Sequence, residues 1–142
     1  MEVRTMGDAK NLVESNVRLW NEHNRGGWTA DFADTAELKA PGGVSGSGPE
    51  MAGQFYDIWQ DGFPDNQVDQ AVISEDDKNG ILEAVFRGTH TGPLNAPSGT
   101  IPATGKAVEI PFVVTTKVGG GKFTSFHLYF DQAELMTQLG VG

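Results

Sequence analysis

The spacing of apolar residues changes near Asn66, and this change constrains the fold more than any other feature of the sequence. Upstream of it, apolar side chains recur at the period of a helix over residues 8–23 and 51–62. Downstream, apolar and polar side chains alternate in four segments, residues 68–74, 81–90, 107–118 and 123–130. A period of two indicates strands with one buried face. The chain is therefore predicted to form helices first and an antiparallel meander second.

The segments between these elements are predicted to be irregular, apart from one last helix. Residues 24–27 should end the first helix, and residues 28–38 show only a short apolar pattern. Residues 41–49 and 92–105 are rich in Gly and Pro, so both are predicted to be loops. The first loop either borders a pocket mouth or is only a flexible connection. Residues 131–139 should close the chain as a helix, with Asp131 as its cap. This order of elements favours an α+β fold in a single domain over residues 1–142.

The charge distribution excludes several classes of partner. The formal net charge is −9, and the ten Lys and Arg residues are scattered. The sequence therefore predicts no basic surface patch that would bind nucleic acid or an anionic membrane. The chain has no cysteine, and its three histidines lack the spacing of a metal site. No apolar run is long enough to span a membrane. A soluble cytoplasmic protein without a metal site is the expectation.

Strand parity predicts which side chains face inward, because neighbouring residues of a strand point to opposite faces. In the long strand the apolar parity is Val108, Ile110, Phe112, Val114, Thr116 and Val118, and in the last strand it is Thr124, Phe126, Leu128 and Phe130. In the strand over residues 81–90 it is Leu82, Ala84, Phe86, Gly88 and His90. His90 is therefore the one ionisable side chain that the pattern places on an inner face.

Two interpretations remain open for the candidate site residues. His90 is either a general acid or base, because imidazole titrates near neutral pH, or a strand-end histidine bonded to backbone. Trp20, Phe55 and Trp59 either line a ligand cavity or belong to an ordinary core.

A set of short motifs in the second half resembles the SnoaL-like polyketide cyclases. The motifs are Phe63-Pro64-Asp65, Gly88-Thr89-His90-Thr91-Gly92, Ile101-Pro102-Ala103-Thr104-Gly105-Lys106, Gly121-Lys122, and Asp131 followed by Gln138-Leu139-Gly140. The resemblance implies a cone-shaped α+β barrel of the nuclear-transport-factor-two type, with a curved, mainly antiparallel sheet covered by N-terminal helices and a short C-terminal helix. It also implies a dimer, and ring closure of polyketide intermediates, as in antibiotic biosynthesis, without a cofactor.

The resemblance also points to particular positions in a pocket between the helices and the sheet. The family's aldol cyclases carry a catalytic Asp where this chain has Leu128, and a His where it has Val114. The helix positions that line the family's pocket fall on Trp20 and Phe55. Together with the inward parity, this predicts a substrate-binding set of Trp20, Phe55, Trp59, Phe112, Val114, Phe126, Leu128 and Phe130, with His90 as the candidate catalytic residue.

Three functions are consistent with these features. The first is a cyclase that closes a carbon ring on an apolar polyketide or polyene by shape and proximity, for example in a pericyclic 4+2 closure. The second is an acid–base aldol cyclase, isomerase or dehydratase that uses His90 or a helix carboxylate. The third is a non-catalytic protein that binds an apolar small molecule. The outward parity mixes Val113, Thr115, Ser125, His127 and Tyr129 with few charges, which predicts a homodimer through this face.

Overall fold

A computed structural model describes residues 8–141, which form helices and a curved sheet in an α+β arrangement. The helices are α1 Asp8–Asn21, α2 Arg25–Ala30, α3 Gly48–Gly62 and α4 Gln132–Leu139. The strands are β1 Phe32–Ala40, β2 Val44–Ser47, β3 Gln67–Glu75, β4 Asn79–Thr89, β5 Leu94–Ala96, β6 Gly99–Ile101, β7 Ala107–Gly119 and β8 Lys122–Phe130. No helix in this part of the chain is long and apolar enough to cross a membrane.

The main sheet has six strands in the order β2-β1-β8-β7-β4-β3. The predicted meander is confirmed, because β3, β4, β7 and β8 pair antiparallel in sequence order. The first strand was not predicted as a strand, and it pairs parallel with β8, with Leu38 opposite Phe126. Three pairings contain register shifts, and such bulges bend and twist a sheet. The sheet therefore curves around its inner face.

Helix α1 packs on the inner face of the sheet. Its buried residues are Ala9, Val13, Asn16 and Trp20, which share one side of the helix because they are three or four positions apart. The contact with the sheet is close at Gly80 of β4. A Cβ atom at this position would lie 3.0 Å from both Val13 Cγ2 and Thr116 Oγ1.

Of three predictions about irregular segments, two are wrong and one is incomplete. Residues 24–27 do not simply end α1, because the Asn24 side chain accepts a hydrogen bond from the Gly27 amide at 2.8 Å and caps α2. Residues 41–49 are not one loop, since β2 pairs with β1 there and Pro49 lies in the first turn of α3. Within residues 92–105, β5 and β6 form a short hairpin. In the last two segments, pairing with a neighbouring strand satisfies the backbone, and a composition rich in Gly and Pro does not reveal it.

The prediction for the end of the chain is confirmed. The Asp131 side chain accepts a hydrogen bond from the Glu134 amide at 3.1 Å, and Gly140 ends α4 with a positive φ of 73°.

The inner parity is confirmed along β4 and β7, whereas in β8 it fails at the first residues of the strand. Thr124 is exposed and Phe123 is buried in its place. The cause is the register shift between β7 and β8, where Val118 pairs with Phe123 although Lys117 pairs with Ser125. A bulge reverses the face on which the next residue lies.

Candidate functional site

A mostly apolar cavity lies between the inner face of the sheet and the helices. The space between its wall atoms is about 750 Å³ when the open mouth is included. Helices contribute Val13, Asn16, Val17, Trp20, Trp28, Phe55, Trp59 and Leu135, and strands contribute Val68, Leu82, Phe86, Ile110, Phe112, Val114, Thr116, Phe123, Phe126, Leu128 and Phe130. A concave, mostly apolar wall with few polar groups is typical of sites for apolar small molecules.

The structure brings all eight predicted binding residues to the wall of this one cavity. They are Trp20, Phe55, Trp59, Phe112, Val114, Phe126, Leu128 and Phe130. Val114 and Leu128 are directly paired across β7 and β8, so the two positions singled out by the family resemblance are neighbours on the cavity wall. Their contact with a substrate stays a prediction.

Trp28 is a central wall residue that the sequence did not reveal. Its ring stacks on Phe55 with centroids 5.7 Å apart, and it meets Trp20 and Phe126 edge to face at 5.2 and 5.8 Å. It lies in the six-residue helix α2, directly after two glycines. Because so short a segment shows no periodicity, the only signal in the sequence was a tryptophan beside a break in the first helix.

The Trp20 ring is held in place by buried polar groups behind it. Its Nε1–H donates to Asn66 Oδ1 at 2.7 Å, and Asn66 Nδ2 donates to Gln60 Oε1 at 2.7 Å and to the Phe63 carbonyl at 2.8 Å. Asn66 is fully buried. This network fixes the tryptophan on the cavity wall, since breaking it would leave buried polar atoms unpaired.

One end of the cavity is formed by half-buried aromatic side chains. Trp59 contacts Phe86 and Phe130 edge to face, with centroids 5.5 Å apart in both cases. Trp59, Phe112 and Phe130 are partly exposed, whereas Phe123 and Thr116 at the other end of the cavity are buried. These three side chains therefore make the aromatic end of the cavity wall more exposed than the end at Phe123 and Thr116.

The polar residues of the wall are Asn16 and Thr116, and no described wall residue is ionisable. Asn16 Nδ2 donates to Asp31 Oδ2 at 3.0 Å and to the Trp28 carbonyl at 3.5 Å. Thr116 Oγ1 donates to the Gly80 carbonyl at 2.7 Å. Sequence reasoning missed Asn16 as a site residue. The signal was an asparagine within the apolar stripe of α1, three residues after Val13 and four before Trp20.

Asp31 lies behind Asn16 and outside the cavity wall. Burial raises the pKa of its carboxyl group, and the hydrogen bond from Asn16 opposes part of that rise.

His90 is buried, but the structure places it outside the cavity wall. Its Nδ1 accepts a hydrogen bond from the Thr104 amide at 3.2 Å and lies 3.0 Å from Thr104 Oγ1. Phe63 contacts both the His90 ring, at 5.2 Å, and Trp59. Burial lowers the pKa of His90, and the Ile101 backbone opposes part of that lowering. His90 is thus buried as its inner parity predicts, but its ring does not line the cavity, and a catalytic role for it stays a prediction.

No metal cluster is evident at the cavity. Within residues 8–141, no group of three or more His, Asp or Glu side chains is placed to hold a metal ion.

Comparisons with known proteins identify the fold and the family. A protein from Xanthomonas campestris pv. campestris described as a candidate polyketide cyclase has 19% identity and a TM-score of 0.81, over 93% of this chain and 96% of its own. IdmH from Streptomyces antibioticus, also described as a candidate polyketide cyclase, has 20% identity and a TM-score of 0.76, over 94% and 99%.

A Catenulispora acidiphila protein with a ketosteroid isomerase-like fold, solved with trimethylamine, has 17% identity and a TM-score of 0.76, over 92% and 93%. The described chain has this fold. The curated proteins contain no match. The family model of SnoaL-like polyketide cyclases matches residues 10–139. With nearly the whole chain matched, the protein belongs to the SnoaL-like polyketide cyclase family.

Proposed function

We propose that the protein closes a carbon ring on an apolar polyketide or polyene intermediate, by holding the flexible chain in a reactive shape. The observation that carries this proposal is the composition of the cavity wall. The wall has no ionisable side chain among the described residues, and Leu128 and Val114 occupy the positions where acid–base members of the family place Asp and His. The reaction we expect is therefore one in which no protein group takes or gives a proton.

A pericyclic 4+2 closure meets this requirement. Two new carbon–carbon σ bonds form between a diene and an alkene of one molecule, three π bonds become one, and no proton moves. Holding the two ends together can lower the barrier by about 7–11 kcal/mol in the best intramolecular cases. Stacked rings such as Trp28 and Phe55, together with Phe126, offer flat apolar surfaces on which a folded polyene can pack.

The test is turnover of synthetic linear polyene and polyketide intermediates, followed by mass spectrometry and product structure. We expect a cyclised product of unchanged mass and a rate of the chemical step that stays level from pH 6 to pH 9. Leu128→Ala should lower the single-turnover rate about tenfold, because a wider cavity holds the reactive conformer less often. Val72→Ala is the matched control, since Val72 is 61% exposed on β3 and away from the cavity.

Two outcomes would contradict the proposal. A bell-shaped pH profile for the single-turnover step would mean that proton transfer governs the reaction. Tight binding of the intermediates without any product would favour a non-catalytic binding protein.

We also propose that the protein works as a homodimer without a cofactor. The outer face of the sheet supports the dimer, because Tyr129 is 55% exposed there, beside half-buried Val113 and Thr115.

A further inference from the structure

The polar side chains at the buried end of the cavity have their hydrogen-bond donors already paired with other groups of the protein. Asn16 lines the cavity and is 5% exposed, and its Nδ2 donates to Asp31 Oδ2, which lies outside the wall, and to the Trp28 carbonyl. The other amide atom, Oδ1, has no hydrogen-bond partner within the described residues. An amide oxygen can accept up to two hydrogen bonds. Asn16 thus presents an unpaired acceptor to the cavity.

The orientation of this amide is determined by its surroundings. A flipped side chain would place Oδ1 against a carboxylate and a carbonyl oxygen, both of which are acceptors. That arrangement would lose two hydrogen bonds and bring like partial charges together. The carboxylate of Asp31 therefore holds the Asn16 oxygen toward the cavity.

Thr116 offers the same chemistry from the sheet. Thr116 is 2% exposed, and its hydroxyl gives its single proton to the Gly80 carbonyl at 2.7 Å. The remaining lone pairs of Oγ1 can only accept. Thr116 and Val13 meet at Gly80, and Asn16 is one helical turn from Val13, so the two acceptors are at the same end of the cavity.

We propose that this end of the cavity binds a hydroxyl or N–H group of the substrate, with Asn16 Oδ1 as the acceptor and Thr116 Oγ1 as a second one. The proposal rests on the proposed function and narrows its substrate class. The substrate is an otherwise apolar polyketide that carries a hydrogen-bond donor at its buried end. A ketone, ether or carboxylate at that end is disfavoured, because an acceptor would face two acceptors.

The rise per residue along β7 gives the distance from the substrate's donor group to the aromatic end of the cavity. Thr116 and Phe112 are four residues apart on β7, which corresponds to about 14 Å at about 3.4 Å per residue. The hydroxyl group therefore lies about 14 Å from the aromatic end.

The test uses three probes of similar size: 2-naphthol, which can donate, 2-methoxynaphthalene, which can only accept, and 2-methylnaphthalene, which can do neither. Affinities are measured by calorimetry at pH 7 for the wild type, for Asn16→Leu and for Asn11→Leu. Asn11 is exposed on the same helix and gives the matched control. We expect the preference for 2-naphthol over 2-methoxynaphthalene to be about fivefold smaller in Asn16→Leu than in the wild type and in the control.

A second measurement does not depend on any variant folding. In the wild type, 2-naphthol should shift the side-chain amide resonances of Asn16 further than 2-methylnaphthalene does, because both rings perturb these resonances but only 2-naphthol donates a hydrogen bond to Oδ1. If all three probes bind equally, or if the preference persists in folded Asn16→Leu, the hydroxyl proposal is overturned while the cavity remains a ligand site. If none of the probes binds, this inference is overturned, whereas the proposed function is decided separately by turnover of the linear intermediates.

Discussion

Leu128→Asp introduces the residue type that the family resemblance implies at this position in acid–base cyclases, and we expect it to harm this protein. Leu128 is 8% exposed and faces Val114 in a cavity wall without a described ionisable group. A carboxyl group here has no cation beside it among the described residues of the wall. The polar wall atoms available to it, on Asn16 and Thr116, are acceptors.

The size of the effect follows from the pKa of the new carboxyl group. Burial without a positive partner raises the pKa of a carboxylic acid, by up to 3–5 units when burial is complete. For a cavity with an open mouth we take about two units, which corresponds to about 2.7 kcal/mol at about 1.36 kcal/mol per unit. The folded-state pKa then lies about two units above the unfolded value of about 3.9. Because the folded pKa is the higher one, the folded state is favoured at low pH and loses stability as the pH rises through it.

The assay is urea unfolding at pH values from 4 to 8, with Leu128→Asn as the reference. The amide has the same shape and the same lost packing, which costs about 2–5 kcal/mol in both variants, but it does not titrate. We expect the two variants to be equally stable near pH 4 and the Asp variant to be about 2–3 kcal/mol less stable above pH 7. A stability difference that is flat across this range would show that the carboxylate is solvated or paired, and would refute the account of an apolar wall. A gain in turnover from Leu128→Asp would refute it as well.

Three further predictions concern groups around the cavity. His90→Gln should lower the melting temperature and leave turnover per folded molecule unchanged. Because burial lowers the pKa of His90 below its usual 6.5, the wild type should also lose stability as the pH falls below that value, and melting of the variant between pH 7.5 and 5 should lack this loss. Trp20→Phe leaves Asn66 Oδ1 without its donor and should lower the free energy of unfolding by about 1–3 kcal/mol in urea titrations; an unchanged midpoint would contradict the role assigned to this bond. Light scattering should give twice the chain mass of 15.2 kDa, and Tyr129→Asp should shift it toward the monomer; a wild-type monomer at micromolar concentration would exclude the dimer.

Much of the fold follows from local sequence patterns. Alternation in the second half was sufficient for β3, β4, β7 and β8, because a strand with one buried face must alternate whatever its partner is. The same pattern placed Val114 and Leu128 on the inner face, and the spacing in α1 placed Trp20 there. These are properties of neighbouring residues, so they can be read along the chain.

The tertiary structure decided what depends on residues far apart in sequence. The parallel pairing of β1 with β8 joins segments about 90 positions apart, and no local pattern around Leu38 indicates it. His90 shares the inner parity of β4, yet the packing of Phe63 and the bonds from Thr104 separate it from the cavity. The orientation of Asn16 depends on a carboxylate that the turn after α2 brings beside it. Periodicity determines the face on which a side chain lies, whereas its chemical role depends on the hydrogen-bond partners and rings that the folded chain places around it.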